Sequence, residues 1–139
     1  MAKQIYITAQ DKKRLTDALT VLQESPDKRE LPHIQYLEQE IERAKIIHDV
    51  TATPKDVITM NSKVRLRDTE SRSVMECTVV YPPESAPERG YISILAPLGA
   101  AMLGYRVGDS FEVDLPKGTT HFLVEQIIYQ PESAGDYHL

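Results

Sequence analysis

The chain has 139 residues, a formal net charge of −5, 41% hydrophobic and 27% charged residues. That length suits one compact domain with a small appendage, not a two-domain enzyme built on a large cofactor fold. The acidic balance lacks the footprint of an autonomous nucleic-acid binder, and neither half hides a basic module: residues 1–50 carry 8 basic and 9 acidic side chains, the remainder 8 and 12. Cys77 is the single cysteine, so no internal disulfide can form and nothing argues for an oxidising compartment. No apolar run approaches the ~18 residues of a membrane span, and the N-terminus lacks the apolar stretch of a signal peptide. The expectation is a soluble, unprocessed, cytoplasmic protein.

Residues 1–50 read as helical. Thr8 and Asp11 have capping-box spacing, which starts a first helix at about Ala9. Leu15, Ala18, Leu19 and Leu22 form one stripe of a 3.6-residue period. The stretch from Ser25 to Glu30 interrupts it, and Pro32 suits the first turn of a second helix. That helix repeats the stripe with Ile34, Leu37, Ile41 and Ala44, with Ile47 beside it, the seam of a short coiled coil. A turn this short favours an antiparallel helical hairpin. Glu38, Glu40 and Glu42 read as a solvated face.

Residues 51–56 form a connector, after which the period shortens to two. Lys63, Arg65 and Arg67 alternate with Val64 and Leu66, as on a solvent-facing edge strand; phosphate contact from this basic face is the less favoured alternative. Met75, Cys77, Val79 and Tyr81 define a longer strand, and Tyr91 to Leu95 a short one. Pro97 opens a brief apolar helix that Gly104 ends, as a left-handed cap does. Phe111 to Leu115, the turn through Pro116 and Gly118, and the run Thr120 to Tyr129 read as a hairpin. The tail after Pro131 shows no period. These elements predict an α+β chain with a mostly antiparallel sheet.

Little here carries catalysis or metal binding. His33, His48, His121 and His138 have neither partners at i+3 or i+4 nor a cysteine pair, so no metal site is assigned. Cys77 lies on the apolar side of its strand and reads as core. The chain has no Gly-x-Ser-x-Gly elbow, its glycines are dispersed, and no cofactor is assigned.

The run Ala96-Pro97-Leu98-Gly99-Ala100-Ala101-Met102-Leu103-Gly104, with Val107-Gly108-Asp109 and Pro116-Lys117-Gly118 behind it, resembles the C-terminal domain of the bacterial transcript-cleavage factors GreA and GreB. The segments Asp56 to Val64, Val80-Tyr81-Pro82 and Tyr129 to Tyr137 bring the chain closer still to the Rnk branch of that family. The match is strong over residues 56–139 and rests on layout for the N-terminal helices. It implies a helical hairpin over 1–50, the connector 51–56, and an FKBP-like domain over 57–139.

The resemblance further implies RNA polymerase as partner, gripped at the rim of its secondary channel with the hairpin directed toward the channel. Ala96, Pro97, Leu98, Ala101 and Met102 match the polymerase-contacting segment; Leu103 is expected to be buried and Pro97 more exposed. In the cleavage factors an arm roughly twice as long presents acidic residues that hold a catalytic Mg²⁺. Here Glu24, Asp27 and Glu30 lie near the tip, but Lys28 and Arg29 sit among them and offset the charge a divalent ion needs. A hairpin this short does not reach the active site. The expectation is therefore a non-enzymatic, polymerase-binding transcription regulator, a monomer that occupies the channel entrance without stimulating cleavage and competes with longer Gre factors.

Rival readings are a direct regulator of nucleoside diphosphate kinase, and an FKBP-like prolyl isomerase. The second is disfavoured by the absence of Trp and the presence of only two Phe. Direct DNA binding is disfavoured by the net charge, which leaves DNA contact only within a polymerase complex.

Overall fold

The computed structural model describes residues 5–24, 31–116 and 118–136. A three-residue strand β1 (Tyr6–Thr8) leads directly into α1 (Ala9–Glu24); α2 (Leu31–Arg43) is followed at once by β2 (Lys45–Ile47). The start of α1 is set by Thr8, whose Oγ1 accepts the Asp11 N–H at 3.0 Å, one of the donors that a first helical turn leaves without an intrahelical acceptor. Leu15 and Leu19 of α1 and Ile34, Leu37 and Ile41 of α2 are buried together, so the two apolar stripes meet.

The second stripe is shorter than its spacing suggests. Helix α2 stops at Arg43, and Ile46 and Ile47 turn into β2, which pairs in parallel with β1 in the register Ile7↔Ile46. Both strands are too short to show a period, and the pairing joins segments that 36 residues of chain separate. The Lys45 N–H extends this pairing by donating to the Ile5 carbonyl at 2.9 Å, and the Tyr6 N–H donates to the Gly104 carbonyl at 3.2 Å, which ties β1 to a distant part of the chain.

The connector is tied down at both ends. Asp49 caps a 3₁₀ turn over Val50–Ala52, and Gln130 Nε2 donates to the carbonyls of Pro54 and Val57 at 2.8 and 2.7 Å. Arg106 clasps Asp56 with two bonds of 3.0 and 2.9 Å, and its guanidinium lies 5.6 Å from the centre of the Tyr6 ring.

Beyond it, β3 (Lys63–Asp68), β4 (Val74–Val80), β5 (Tyr91–Ser93), β6 (Ser110–Leu115) and β7 (Gly118–Tyr129) form one sheet in the order β5-β4-β3-β7-β6. All neighbours are antiparallel except β4 and β5, and register shifts interrupt the β3–β7 ladder. Strand β3 is therefore central, which corrects the edge-strand expectation. Its basic residues face solvent but are answered by neighbouring strands: Arg65 by Glu76 and Gln126, Arg67 by Glu125. Phosphate binding on this face would have to displace those partners.

Val64, Leu66, Cys77, Val79, Phe111, Val113, Phe122 and Val124 supply the buried sheet face. Tyr105 and Phe111 stack with centroids 5.6 Å apart, and Phe122 lies 5.8 Å from Phe111. Helix α3 (Pro97–Met102) covers this face, and the same buried cluster runs on without a break into the residues of α1 and α2. The unperiodic tail forms a one-turn helix, α4 (Pro131–Ala134), with Pro131 and Glu132 buried.

Candidate docking face around the Pro97 helix

Helix α3 is six residues long and stands in place because of its neighbours. Ala96 is extended and Pro97 takes the first helical position, where a missing N–H costs nothing. At Gly99 a Cβ would lie 2.2 Å from the Ser93 carbonyl oxygen, so the helix can approach β5 this closely only with glycine there. Gly104 ends the element at φ +85°, and a Cβ there would strike the Ile5 side chain at 2.6 Å. These two close approaches seat α3 between the sheet and β1.

The helix consequently has an inside and an outside. Leu98 is 6% exposed and Met102 0%, with Cys77 Sγ 3.9 Å from Met102 Sδ. Leu103, at 3%, is buried as anticipated, and Pro97 is exposed; Ala96 and Ala101 are half-buried. Of the five residues assigned to partner contact, Leu98 and Met102 therefore point into the core, and Pro97 and Ala101, with Ala96 at their edge, form the accessible part. A buried apolar side chain is held by burial itself, worth about 1.5–3 kcal/mol for residues of this size.

The accessible part opens onto a groove of about 300 Å³ lined by Tyr36, Pro97, Ala100, Ala101, Glu112, Val113 and Asp114. Tyr36 comes from α2, is 46% exposed, and stands between the buried Ile34 and Leu37. Glu112 and Asp114 are the outward positions of β6, alternating with the buried Phe111 and Val113. Glu112 Oε2 lies 3.0 Å from His121 Nε2, and Asp114 Oδ1 accepts from the Thr119 hydroxyl at 2.8 Å. Tyr36, Glu112 and Asp114 escaped sequence reasoning. The one hint was an aromatic residue on α2 off its buried stripe.

A second polar arrangement lies where α1 meets the rest of the chain. Asp11 is 1% exposed, and its Oδ2 accepts the Met60 N–H at 3.0 Å, a bond 49 residues long in sequence. Nearby, Thr59 donates its hydroxyl to Glu132 at 2.6 Å, and its N–H to Ser62 Oγ at 3.0 Å. Burial, opposed by the Met60 bond and reinforced by the Glu132 charge, pushes the Asp11 carboxyl up to about 7. These bonds lock α1, the segment before β3, and α4 to one another.

The remaining candidates are placed as follows. Cys77 is buried, and desolvation pushes its thiol up to about 12, so it packs as a small apolar side chain. Glu24 closes α1, and Asp27 and Glu30 lie outside the described residues. Among the described residues no three His, Cys, Asp or Glu side chains come together as a metal site, and no helix is long and apolar enough to cross a membrane.

The family described as "Transcription elongation factor, GreA/GreB, C-term" matches residues 53–129, and that described as "Rnk N-terminus" matches residues 3–47. The chain belongs to the GreA/GreB family, in the form in which an Rnk N-terminal segment precedes the GreA/GreB C-terminal region. It is 41% identical over 124 residues to the regulator of nucleoside diphosphate kinase of Escherichia coli K12, covering 88% of this chain and 90% of that protein. The GreA of Solidesulfovibrio magneticus is 34% identical, with 74% of this chain matched to 63% of that longer protein. The solved GreA/GreB elongation factor of Nitrosomonas europaea superposes with a TM-score of 0.75 at 35% identity, over 91% of this chain and all of the other. These relatives bear the names of regulators and transcription factors, not of enzymes.

Proposed function

We propose that the protein is a non-catalytic regulator that binds RNA polymerase at the rim of its secondary channel and does not stimulate transcript cleavage. Residues 57 onward act as the FKBP-like docking domain, through Pro97, Ala101 and the groove beside them. Helices α1 and α2 form a short antiparallel arm directed at the channel, and residues 51–56 join the two parts. By occupying the entrance the protein competes with longer Gre factors, and it alters nucleoside diphosphate kinase through transcription. It acts as a monomer in the cytoplasm, where its partner is found.

The observation that carries this reading is the length of the arm. Sixteen residues of α1 rise about 24 Å at ~1.5 Å per residue, too little to carry a metal-holding tip deep into a channel. A transcript-cleavage assay on backtracked complexes tests it. The purified protein should leave the transcripts intact and slow cleavage by a long-armed factor. Acceleration that disappears on replacing Glu24, Asp27 and Glu30 with alanine would overturn the proposal.

The name of the Escherichia coli relative favours one alternative, direct action on nucleoside diphosphate kinase. Capture of the purified kinase by the protein in the absence of polymerase would establish it in place of the transcriptional route.

A further inference from the structure

Deepening the polymerase-binding reading, on which it rests, we infer that Asp11 is a positioning residue. Its bond to the Met60 amide fixes the direction of the α1–α2 arm relative to the docking helix α3, so that a chain seated by its Pro97 face points the arm into the channel.

The start of the arm is joined to the docking domain at successive points. The Tyr6 N–H donates to the carbonyl of Gly104, the residue that closes α3. Further along, on α1 itself, Asp11 Oδ2 accepts the Met60 N–H at 3.0 Å. The first attachment alone leaves a pivot, and the second removes rotation about it. Leu15 and Leu19 pack in the shared core, but apolar contact is non-directional and lets a helix roll or slide. A hydrogen bond weakens steeply once its angle is lost.

The anchor that Asp11 grips is rigid. Residues 59–62 close a tight turn: the Thr59 N–H donates to Ser62 Oγ and the Ser62 N–H to the Thr59 carbonyl, both at 3.0 Å, and Asn61 takes φ +67°. The turn is bonded into the docking domain by the Asn61 N–H to the Val79 carbonyl at 2.7 Å, by the Gly104 N–H to the Ile58 carbonyl at 2.9 Å, and by the Thr59 hydroxyl to Glu132 of α4 at 2.6 Å. The Met60 N–H therefore stands in a frame that includes the end of α3.

Asp11 is also a costly way to fill its site. It is 1% exposed and shares the buried face of α1 with Leu15 and Leu19, where an apolar side chain would suit the same stripe. Its Oδ1 is enclosed without a hydrogen-bond partner, and the Glu132 carboxylate adds like charge nearby. Burying such a group opposes stability, which fits a residue that specifies geometry rather than one that strengthens the core.

The test uses the full chain with spin labels at Val21→Cys on α1 and Val74→Cys on β4, both exposed positions; Cys77 is buried and stays unlabelled. Asp11→Ala removes the acceptor and Asp11→Asn keeps it. The wild type and Asp11→Asn should give one narrow arm-to-sheet distance, and Asp11→Ala a broadened one with Met60 amide exchange about tenfold faster. On core RNA polymerase, a photoreactive group at Val21 should crosslink to the channel wall from the wild type and Asp11→Asn. Asp11→Ala should lose that crosslink while binding with wild-type affinity. If Asp11→Ala keeps the narrow distance or the crosslink, or if Asp11→Asn broadens equally, the positioning role is overturned. Should Asp11→Ala prove unfolded, exchange in the wild type decides: a Met60 amide as protected as those of β3 upholds the role, and an unprotected one overturns it. If the wild type does not bind polymerase, the docking reading falls, whereas the distances in the free chain still decide whether Asp11 sets the arm.

Discussion

The two faces of α3 share a backbone and differ in everything else. Leu98 and Met102 face inward at i and i+4, against the sheet; Pro97 and Ala101 face outward at the same spacing, over a groove completed by Tyr36 of α2 and the edge of β6. A stretch of sequence that reads as one motif thus holds two sets of instructions. The inward set specifies where the helix sits. The outward set, read with Tyr36 and β6, specifies what it can touch, and substitutions on the two faces should fail in different ways.

The largest effect is expected from Met102→Asp, which places an unpaired carboxylate at a position with no exposure. Burying an uncompensated charge belongs to the exceptional class of substitutions, above about 4 kcal/mol, so thermal unfolding should show no cooperative transition at physiological temperature. Gly99→Ala sharpens the same point with one methyl group. Its Cβ meets backbone, not a movable side chain, and overpacking of this kind costs about 1–3 kcal/mol, visible as a lowered Tm. Pro97→Arg, on the other face, should leave Tm in place and weaken polymerase binding by about 2 kcal/mol or more, the scale of a central interface residue.

The Asp11 junction offers a pH test of what holds α1 to the remainder. Its carboxyl is raised from 3.8 to about 7, so the folded chain binds a proton that the unfolded chain releases. The corresponding stability is fully present below about pH 4 and is lost as pH rises through about 7, amounting to roughly 4 kcal/mol. Asp11→Asn should therefore gain on the wild type between pH 4 and 7 in chemical denaturation at each pH. The smallest effect is expected from Arg67→Ala: its partner Glu125 is held below the usual carboxylate range by the Arg67 hydrogen bond, but the pair faces solvent, and Tm should stay where it is.

Local signals survived the passage from sequence to structure where the determinant was itself local. Thr8 does cap α1, Gly104 does take the left-handed conformation, and the β6–β7 hairpin closes where the turn residues stand. Distant determinants were unreadable. The same Asp11 that marks a helix start spends its side chain on Met60, and no spacing encodes that. The alternation of Lys63, Arg65 and Arg67 revealed a strand with a solvent face, but not that β4 and β7 flank it. Helix α4 has four residues and no period, because a contact with Thr59 from another part of the chain holds it. On α3 the exposure of Pro97 and the burial of Leu103 were legible in the sequence, whereas the burial of Leu98 and Met102, which the same motif assigned to partner contact, emerged only from the packed structure.

The measurement that tests the account most directly is a titration of this protein against core RNA polymerase, alone and in the presence of a long-armed cleavage factor. Mutually exclusive binding, with Pro97→Arg unable to displace the longer factor, is the predicted result. Simultaneous binding of both proteins, or no binding at micromolar concentrations, would contradict it.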